Sequence, residues 1–151
     1  MTHPLVVTTT RLTYAGARLA LDGALAEAAR VGGAFNVAVT DRGGVLLAFA
    51  RMDGAFAESG AIARDKARTV TGFEGLATDE LYAAISGEPD VRDGIGGRPG
   101  VAAFGGGVPI RVGGEVVGAV GASGGSAAQD KQVAQAGADA LTAALSEGGA
   151  A

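Results

Sequence analysis

The sequence contains no cysteine and a single histidine, and only 5% of its 151 residues are aromatic. The absence of cysteine excludes disulfides, a thiolate nucleophile and cysteine-ligated zinc or iron–sulfur centres. One histidine excludes metal sites built from several imidazoles, so we expect no bound metal ion. The length suits one compact domain and is too short for two.

Positive charge and long apolar runs are also scarce. Lysine and arginine together number 12 against 16 acidic residues, which gives a formal charge of −4 without a basic cluster. Since nucleic-acid binding depends on neutralising phosphates, we expect no nucleic-acid partner and, for the same reason, no membrane partner. No apolar stretch reaches about 18 residues, and the N-terminus does not resemble a leader. We therefore expect a cytoplasmic protein.

Small residues are abundant in the sequence, and glycine alone accounts for 27 positions. Apolar residues at helical spacing predict a first helix over Tyr14–Val31, which a pair of glycines ends. Two apolar runs, 36–40 and 45–50, are joined by Asp41-Arg42-Gly43-Gly44. This composition is typical of a tight turn, so we expect an antiparallel hairpin.

The rest of the chain alternates helices with short strands. Patterning predicts helices over 59–73, 78–86 and 126–145, a turn-rich loop over 87–100, and strands over 101–104, 108–112 and 115–122. Thr78 is the predicted N-cap of the short helix, and Ser126-Ala127-Ala128-Gln129 has the capping-box pattern. These elements predict an α+β sandwich in which helices flank a five-stranded, mainly antiparallel sheet. We expect a flexible lead-in over 1–11, one domain over 12–146 and a frayed tail over 147–151.

Lys66 is one of two lysines and lies on the apolar side of the second helix, between Ile62 and Val70. One interpretation is a side chain that extends past apolar neighbours to reach solvent. The other is a partly buried ammonium that pairs with Asp130, Asp41 or an anionic ligand, and whose pKa falls on desolvation.

Asp130 falls in the first turn of the last helix, on its inward side, where the helix dipole favours a carboxylate. One interpretation is this local role alone, since acidic residues are common at helix starts. The other is that Asp130 bonds a ligand or forms, with Lys66, the predicted catalytic acid–base pair. Before this helix, Gly121-Ala122-Ser123-Gly124-Gly125 has the spacing of a hydrolase nucleophile motif, but the only histidine, His3, lies far upstream. We instead expect a sharp turn at Ser123, Gly124 and Gly125 whose amides hold an anion, or a turn that binds nothing.

Weaker candidates complete the predicted binding residues. Arg51 and Asp53 follow the second strand and either line a pocket edge or form a loop-stabilising ion pair. Gly105-Gly106-Gly107 lacks the Lys-Ser or Lys-Thr of a phosphate loop. We expect its glycines to allow close backbone approach to a flat ligand or to a second subunit. The predicted ligand-binding set therefore includes Asp41, Arg51, Asp53, Gly106 and Gly107.

Several short motifs, in this order, resemble those of the haem-binding GlcG-type family. That family includes extracellular haem-sensing proteins of actinomycetes and the C-terminal domain of some cobalamin adenosyltransferases. The resemblance covers about residues 12–145 and is carried by Leu12-Thr13, Val39–Gly44, Arg51–Ala55, Lys66-Ala67, Gly106–Ile110, Val117–Gly124, Asp130 and Ala134-x-Ala136-Gly137. It implies a profilin-like sandwich and a homo-oligomer, from dimer to octamer.

The resemblance also implies a small-molecule-binding protein with a role in a catabolic or biosynthetic pathway. Its ligand would be haem or a small carboxylated metabolite. Haem needs an axial ligand, for which the chain offers His3 or Met52 and, beyond these, Tyr14, Tyr82 or a threonine.

Two alternatives from other classes stay open. A cofactor-free lyase or isomerase would use Lys66 and Asp130 to move a proton. A non-catalytic oligomeric accessory protein would use its glycine- and alanine-rich faces for subunit packing alone.

Overall fold

The structure is a computed structural model that describes residues 2–148. Its helices are α1 (Tyr14–Val31), α2 (Glu58–Gly72), α3 (Thr78–Ile85), α4 (Pro89–Gly96) and α5 (Ala127–Glu147), and its strands are β1 (Asn36–Asp41), β2 (Leu46–Arg51), β3 (Gly107–Val112) and β4 (Glu115–Ser123). The predicted α+β class is confirmed, and α1 has the predicted bounds. Residues 149–151 of the predicted tail lie outside the described residues.

The four strands form one antiparallel sheet in the order β2-β1-β4-β3. Helices cover both faces of the central strand β4, so most of it is buried. Helices α1 and α5 pack around Val37 and Val120 on one face, and Ala67 of α2 packs with Ala119 on the other. Ser123 pairs with Asn36, which places the connection from β4 to α5 at one end of the sheet.

The fifth strand predicted over 101–104 is absent from the described part of the chain, so that prediction was wrong. The backbone of this segment is bonded elsewhere. The amide of Ala102 donates to Thr69 Oγ1 at 2.9 Å, and the amide of Val101 donates to the carbonyl of Arg98 at 3.2 Å. A strand needs a neighbouring strand for these groups, and here a helix side chain and a turn take that place.

The predicted loop over 87–100 contains helix α4, which begins at Pro89. Proline suits the first helical turn because its φ is already fixed. It also lacks an N–H, and an N–H at this position would have no partner within the helix. The predicted N-cap of α3, Thr78, was also wrong by one residue, because Thr78 is the first residue of the helix. Ala77 is the cap, and its amide donates to the Glu80 carboxylate at 3.0 Å.

The capping box predicted at the start of the last helix is confirmed. The amide of Gln129 donates to Ser126 Oγ at 3.2 Å, and the amide of Ser126 donates to Gln129 Oε1 at 3.0 Å. Because two backbone donors are satisfied reciprocally, the turn between β4 and α5 has a defined geometry.

Helices α1 and α5 approach closely because glycines lie at their contact. A Cβ added at Gly23 would lie 2.5 Å from the Cβ of Ala140, and one at Gly137 would lie 2.6 Å from the carbonyl oxygen of Ala20. Packing at this interface therefore depends on small residues in both helices.

A polar network at the edge of this interface lowers the pKa of Glu27. Glu27 of α1 accepts hydrogen bonds from Arg30 and, at 2.7 Å, from Gln132 of α5. Both bonds lower the pKa of Glu27, from 4.5 to about 2, and the bond from Arg30 has the larger effect. A carboxyl whose folded pKa is lowered stabilises the fold above its unfolded pKa, and this contribution is lost as the pH falls through the folded pKa.

We expect Glu27→Gln to flatten the pH dependence of stability between 4.5 and about 2, the two pKa values of Glu27. The measurement is the free energy of unfolding in urea at stepped pH values. Glu147→Gln, at the exposed end of α5, removes the same charge and serves as the control. If the free energy of unfolding falls equally steeply with decreasing pH in the unchanged protein and in Glu27→Gln, this role of Glu27 is contradicted.

Candidate functional site

Lys66 and Asp130, the predicted catalytic pair, meet in the interior. Lys66 is fully buried on α2, and its Nζ donates to Asp130 Oδ2 at 2.7 Å and to the carbonyl of Ala122 at 3.0 Å. Of the partners considered for this ammonium, the structure therefore supplies Asp130. The contact joins α2, the end of β4 and the first turn of α5.

The predicted anion-holding turn is occupied by the protein's own carboxylate. Asp130 Oδ1 accepts from the amides of Gly124 and Gly125, at 3.0 and 2.9 Å. Ser123 is buried as the last residue of β4. The small residues of this turn let the backbone approach Asp130, so both of its oxygens have partners.

Burial makes the charged form of Lys66 less favourable than it is in water. Burial lowers the pKa of Lys66 below its usual value, and the hydrogen bond and charge of Asp130 oppose this effect without cancelling it. The ring of Phe104 also lies over Nζ, with its centroid 4.5 Å away. A cation over an aromatic face is attracted to the ring, so Phe104 is both a cover and a partner for the ammonium.

Gly106 and Gly107 allow chain segments to approach closely inside the protein. A Cβ at Gly106 would lie 2.6 Å from Lys66 Nζ, and one at Gly107 would lie 2.7 Å from the Lys66 carbonyl oxygen. The amide of Gly107 donates to Thr78 Oγ1 at 2.9 Å. The close approach expected from these glycines is therefore made to Lys66 and α3.

The other predicted binding residues do not join this cluster through the hydrogen bonds they form. The Arg51 guanidinium donates to the carbonyl of Ala55 at 2.9 and 3.1 Å, and Asp53 is exposed without an ion pair among residues 2–148. Asp41 lies at the opposite end of β1 from the Ser123 turn, where its carboxylate accepts from the amides of its own hairpin turn.

The candidate iron ligands differ in exposure and in the hydrogen bonds they already form. His3 is exposed ahead of α1, and Met52 Sδ accepts from the amide of Phe35 at 3.4 Å. Tyr14 and Tyr82 are 59% and 48% exposed, so their phenol groups are accessible.

A cleft of about 440 Å³ lies beside α3 and α4, within the size range of small-molecule sites. Tyr82, Ile85, Val101 and Phe104 supply its apolar and aromatic wall, and Arg92 supplies a guanidinium. Sequence reasoning missed this cleft because α4 was predicted as loop and 101–104 as strand. The available signal was Pro89, which is typical of a helix start.

Two further properties concern the described part of the chain. No helix within residues 2–148 has the length and apolarity needed to cross a bilayer. In the same range, no three His, Asp or Glu side chains converge in a way that would hold a metal ion.

Comparisons with known proteins agree on one family. The family model described as haem degrading protein HbpS-like matches residues 12–139. The crystal structure of the Klebsiella pneumoniae protein ORFY superposes with a TM-score of 0.85 at 29% identity, covering 95% of this chain and 99% of that one. HbpS from Streptomyces reticuli, solved as a double mutant, gives 0.80 at 32% identity, covering 93% and 94%. The PduOC complex with haem gives 0.79 at 27% identity, covering 87% and 95%.

Proposed function

The chain belongs to the family of HbpS-like haem-degrading proteins, and we propose that it binds haem, or a similarly flat carboxylated ring, in the cleft beside α3 and α4. The observation that carries the proposal is the composition of this cleft. It combines an exposed tyrosine, an apolar wall and a guanidinium with the carboxylate of Asp93, which pairs with that guanidinium.

These residues fit the chemical demands of haem. Ile85, Val101 and Phe104 offer apolar contact to the flat ring, and Arg92 suits a propionate carboxylate. Arg92 pairs with Asp93 at 3.1 Å, but both side chains are solvent-accessible, so the guanidinium can exchange partners at little cost. Tyr82 would hold the iron through its phenol oxygen, a ligand type that haem proteins use. Bound haem would supply an iron centre whose redox and oxygen chemistry the chain itself lacks.

Tyr82 suits this role better than the two ligands first expected. The sulfur of Met52 already accepts a hydrogen bond and packs against the core. His3 is exposed ahead of α1, and no side-chain hydrogen bond fixes it to the described domain. A ligand on a rigid helix holds iron in one position, whereas a ligand on an extended segment must first be ordered.

The test is a haemin titration followed by visible absorption. We expect saturable binding at one haemin per chain, and Tyr82→Phe is expected to lose the resolved band and weaken binding by about tenfold or more. Tyr14→Phe removes the same hydroxyl from the other exposed tyrosine and is expected to change neither. Thermal midpoints confirm that each variant is folded.

Three results would overturn parts of this proposal. Weak, non-saturating binding in the unchanged protein would reject haem as the ligand. Loss of the band in Tyr14→Phe instead of Tyr82→Phe would assign the iron ligand to Tyr14, at the start of α1. Loss of the band in His3→Ala alone would assign the iron to the N-terminal segment.

The cofactor-free lyase or isomerase stays a second proposal, supported by the lowered pKa of Lys66. A desolvated lysine beside a carboxylate is a common acid–base arrangement. The ring of Phe104 covers Nζ and also lines the cleft. Displacement of this ring would uncover the ammonium to a carboxylated metabolite bound in the cleft.

A further inference from the structure

A second cleft, of about 380 Å³, lies between the β1–β2 turn, the C-terminal half of α2 and the segment after α4. Three arginines, Arg42, Arg68 and Arg98, are among its lining residues, and no aspartate or glutamate is. The whole chain carries a net charge of −4, so this concentration of positive charge does not follow from composition.

Two of these three charges are not neutralised within the described chain. Arg42 pairs with Glu115 at 2.8 Å, whereas Arg68 and Arg98 form no ion pair with any of residues 2–148. The C-terminal end of α2 carries a partial negative charge of roughly half a unit, which is too small to offset two guanidinium groups. Both side chains are exposed to solvent, so an anion can reach them.

The framework around these arginines is fixed. Arg68 lies between two glycines with positive φ, because a Cβ at Gly44 would come within 3.5 Å of its Cγ and a Cβ at Gly100 within 3.5 Å of its Nη1. The segment that carries Arg98 is tied to α2 where the Ala102 amide donates to Thr69. The backbone that carries both arginines is therefore held in place, and only their side chains need to adjust to bind a ligand.

We propose that Arg68 and Arg98 form a binding site for a compact, multivalent oxyanion, either inorganic phosphate or a small polycarboxylate. Guanidinium groups match such ions because their planar N–H donors can bond two oxygens at once. The site is separate from the one proposed for haem, although Val101 lines both clefts. It does not depend on haem binding.

The experiment titrates the haem-free protein with inorganic phosphate, citrate and, as a monovalent comparison, acetate at constant ionic strength. Calorimetry gives the affinity, and amide chemical shifts give the location. We expect saturable binding of phosphate or citrate, no saturation with acetate, and shifts centred on Gly44, Gly100 and Val101. Arg68→Gln and Arg98→Gln are each expected to weaken binding by about tenfold, the effect of one charge-assisted hydrogen bond.

Arg64→Gln is the matched control because Arg64 is exposed on α2, one turn before Arg68, and does not line the cleft. It is expected to keep the affinity of the unchanged protein. Equal weakening in Arg64→Gln would show a general charge effect and overturn the site. Absence of saturation with both multivalent anions, or shifts centred elsewhere, would also overturn it.

Discussion

Replacing Lys66 with methionine is expected to lower the free energy of unfolding by about 3–5 kcal/mol, because it leaves a buried carboxylate without its counter-ion. Asp130 is 3% exposed and keeps only the amides of Gly124 and Gly125 as partners. The carbonyl of Ala122 also loses its side-chain donor. Urea unfolding at neutral pH measures the effect.

The second lysine provides a control with the same chemistry and different burial. Lys131 pairs with Asp79 at 2.6 Å, but these side chains are 38% and 41% exposed. Exposed pairs contribute about 0–1 kcal/mol, so Lys131→Met is expected to have a small effect. Similar losses in Lys66→Met and Lys131→Met would mean that burial does not determine the strength of the Lys66 pair.

A double-mutant cycle separates the pair from its neighbours. Asp130→Asn can still accept from the two glycine amides, but its amide nitrogen meets the buried ammonium of Lys66. Lys66→Met combined with Asp130→Asn removes both charges, so we expect the double variant to be more stable than the sum of the single losses predicts. Strict additivity would contradict a direct interaction between the two side chains.

Four of the five helices in residues 2–148, all but α4, and the first hairpin were predictable because their signals are local. The bounds of α1 follow from apolar spacing and a terminal glycine, and the start of α5 follows from Ser126 and Gln129. The segment 101–104 was not predictable in this way. Its apolar residues resemble a strand, but its backbone bonds to Thr69 of α2, a partner 33 residues away in sequence. Tertiary contacts decided its conformation.

The candidate site was predictable only in part, for the same reason. An inward lysine and an inward aspartate could be identified on their helices, but the choice among Asp130, Asp41 and a ligand depends on the sheet register. The pairing of Asn36 with Ser123 brings the end of β4 and the start of α5 to one end of the sheet, while Asp41 lies at the other end of β1. Both clefts depend on the segment around α4, where the sequence pattern was misinterpreted, so the residues that line them were not predicted as a binding set.

A second large loss of stability is expected from Gly121→Ala, of about 3 kcal/mol or more, from overpacking. Gly121 lies in β4 directly beneath α2. A Cβ there would overlap the carbonyl oxygen of Ala63 and lie 2.8 Å from the amide nitrogen of Ala67. Both are helix backbone atoms, so relief requires α2 to move away from the sheet. Urea unfolding measures the loss.

Gly94→Ala in α4 provides a comparison at a glycine with open space around it. A Cβ at Gly94 meets no atom within 4 Å, so alanine should raise stability by about 0.4–1 kcal/mol, because it restricts the unfolded chain. The two substitutions add the same methyl group, one in a buried strand beneath α2 and the other on an exposed helix. Since Lys66 lies on that same stretch of α2, movement of the helix in Gly121→Ala should also disturb the contact of Lys66 with Asp130. A neutral Gly121→Ala would show that α2 does not lie as close to β4 as the structure places it.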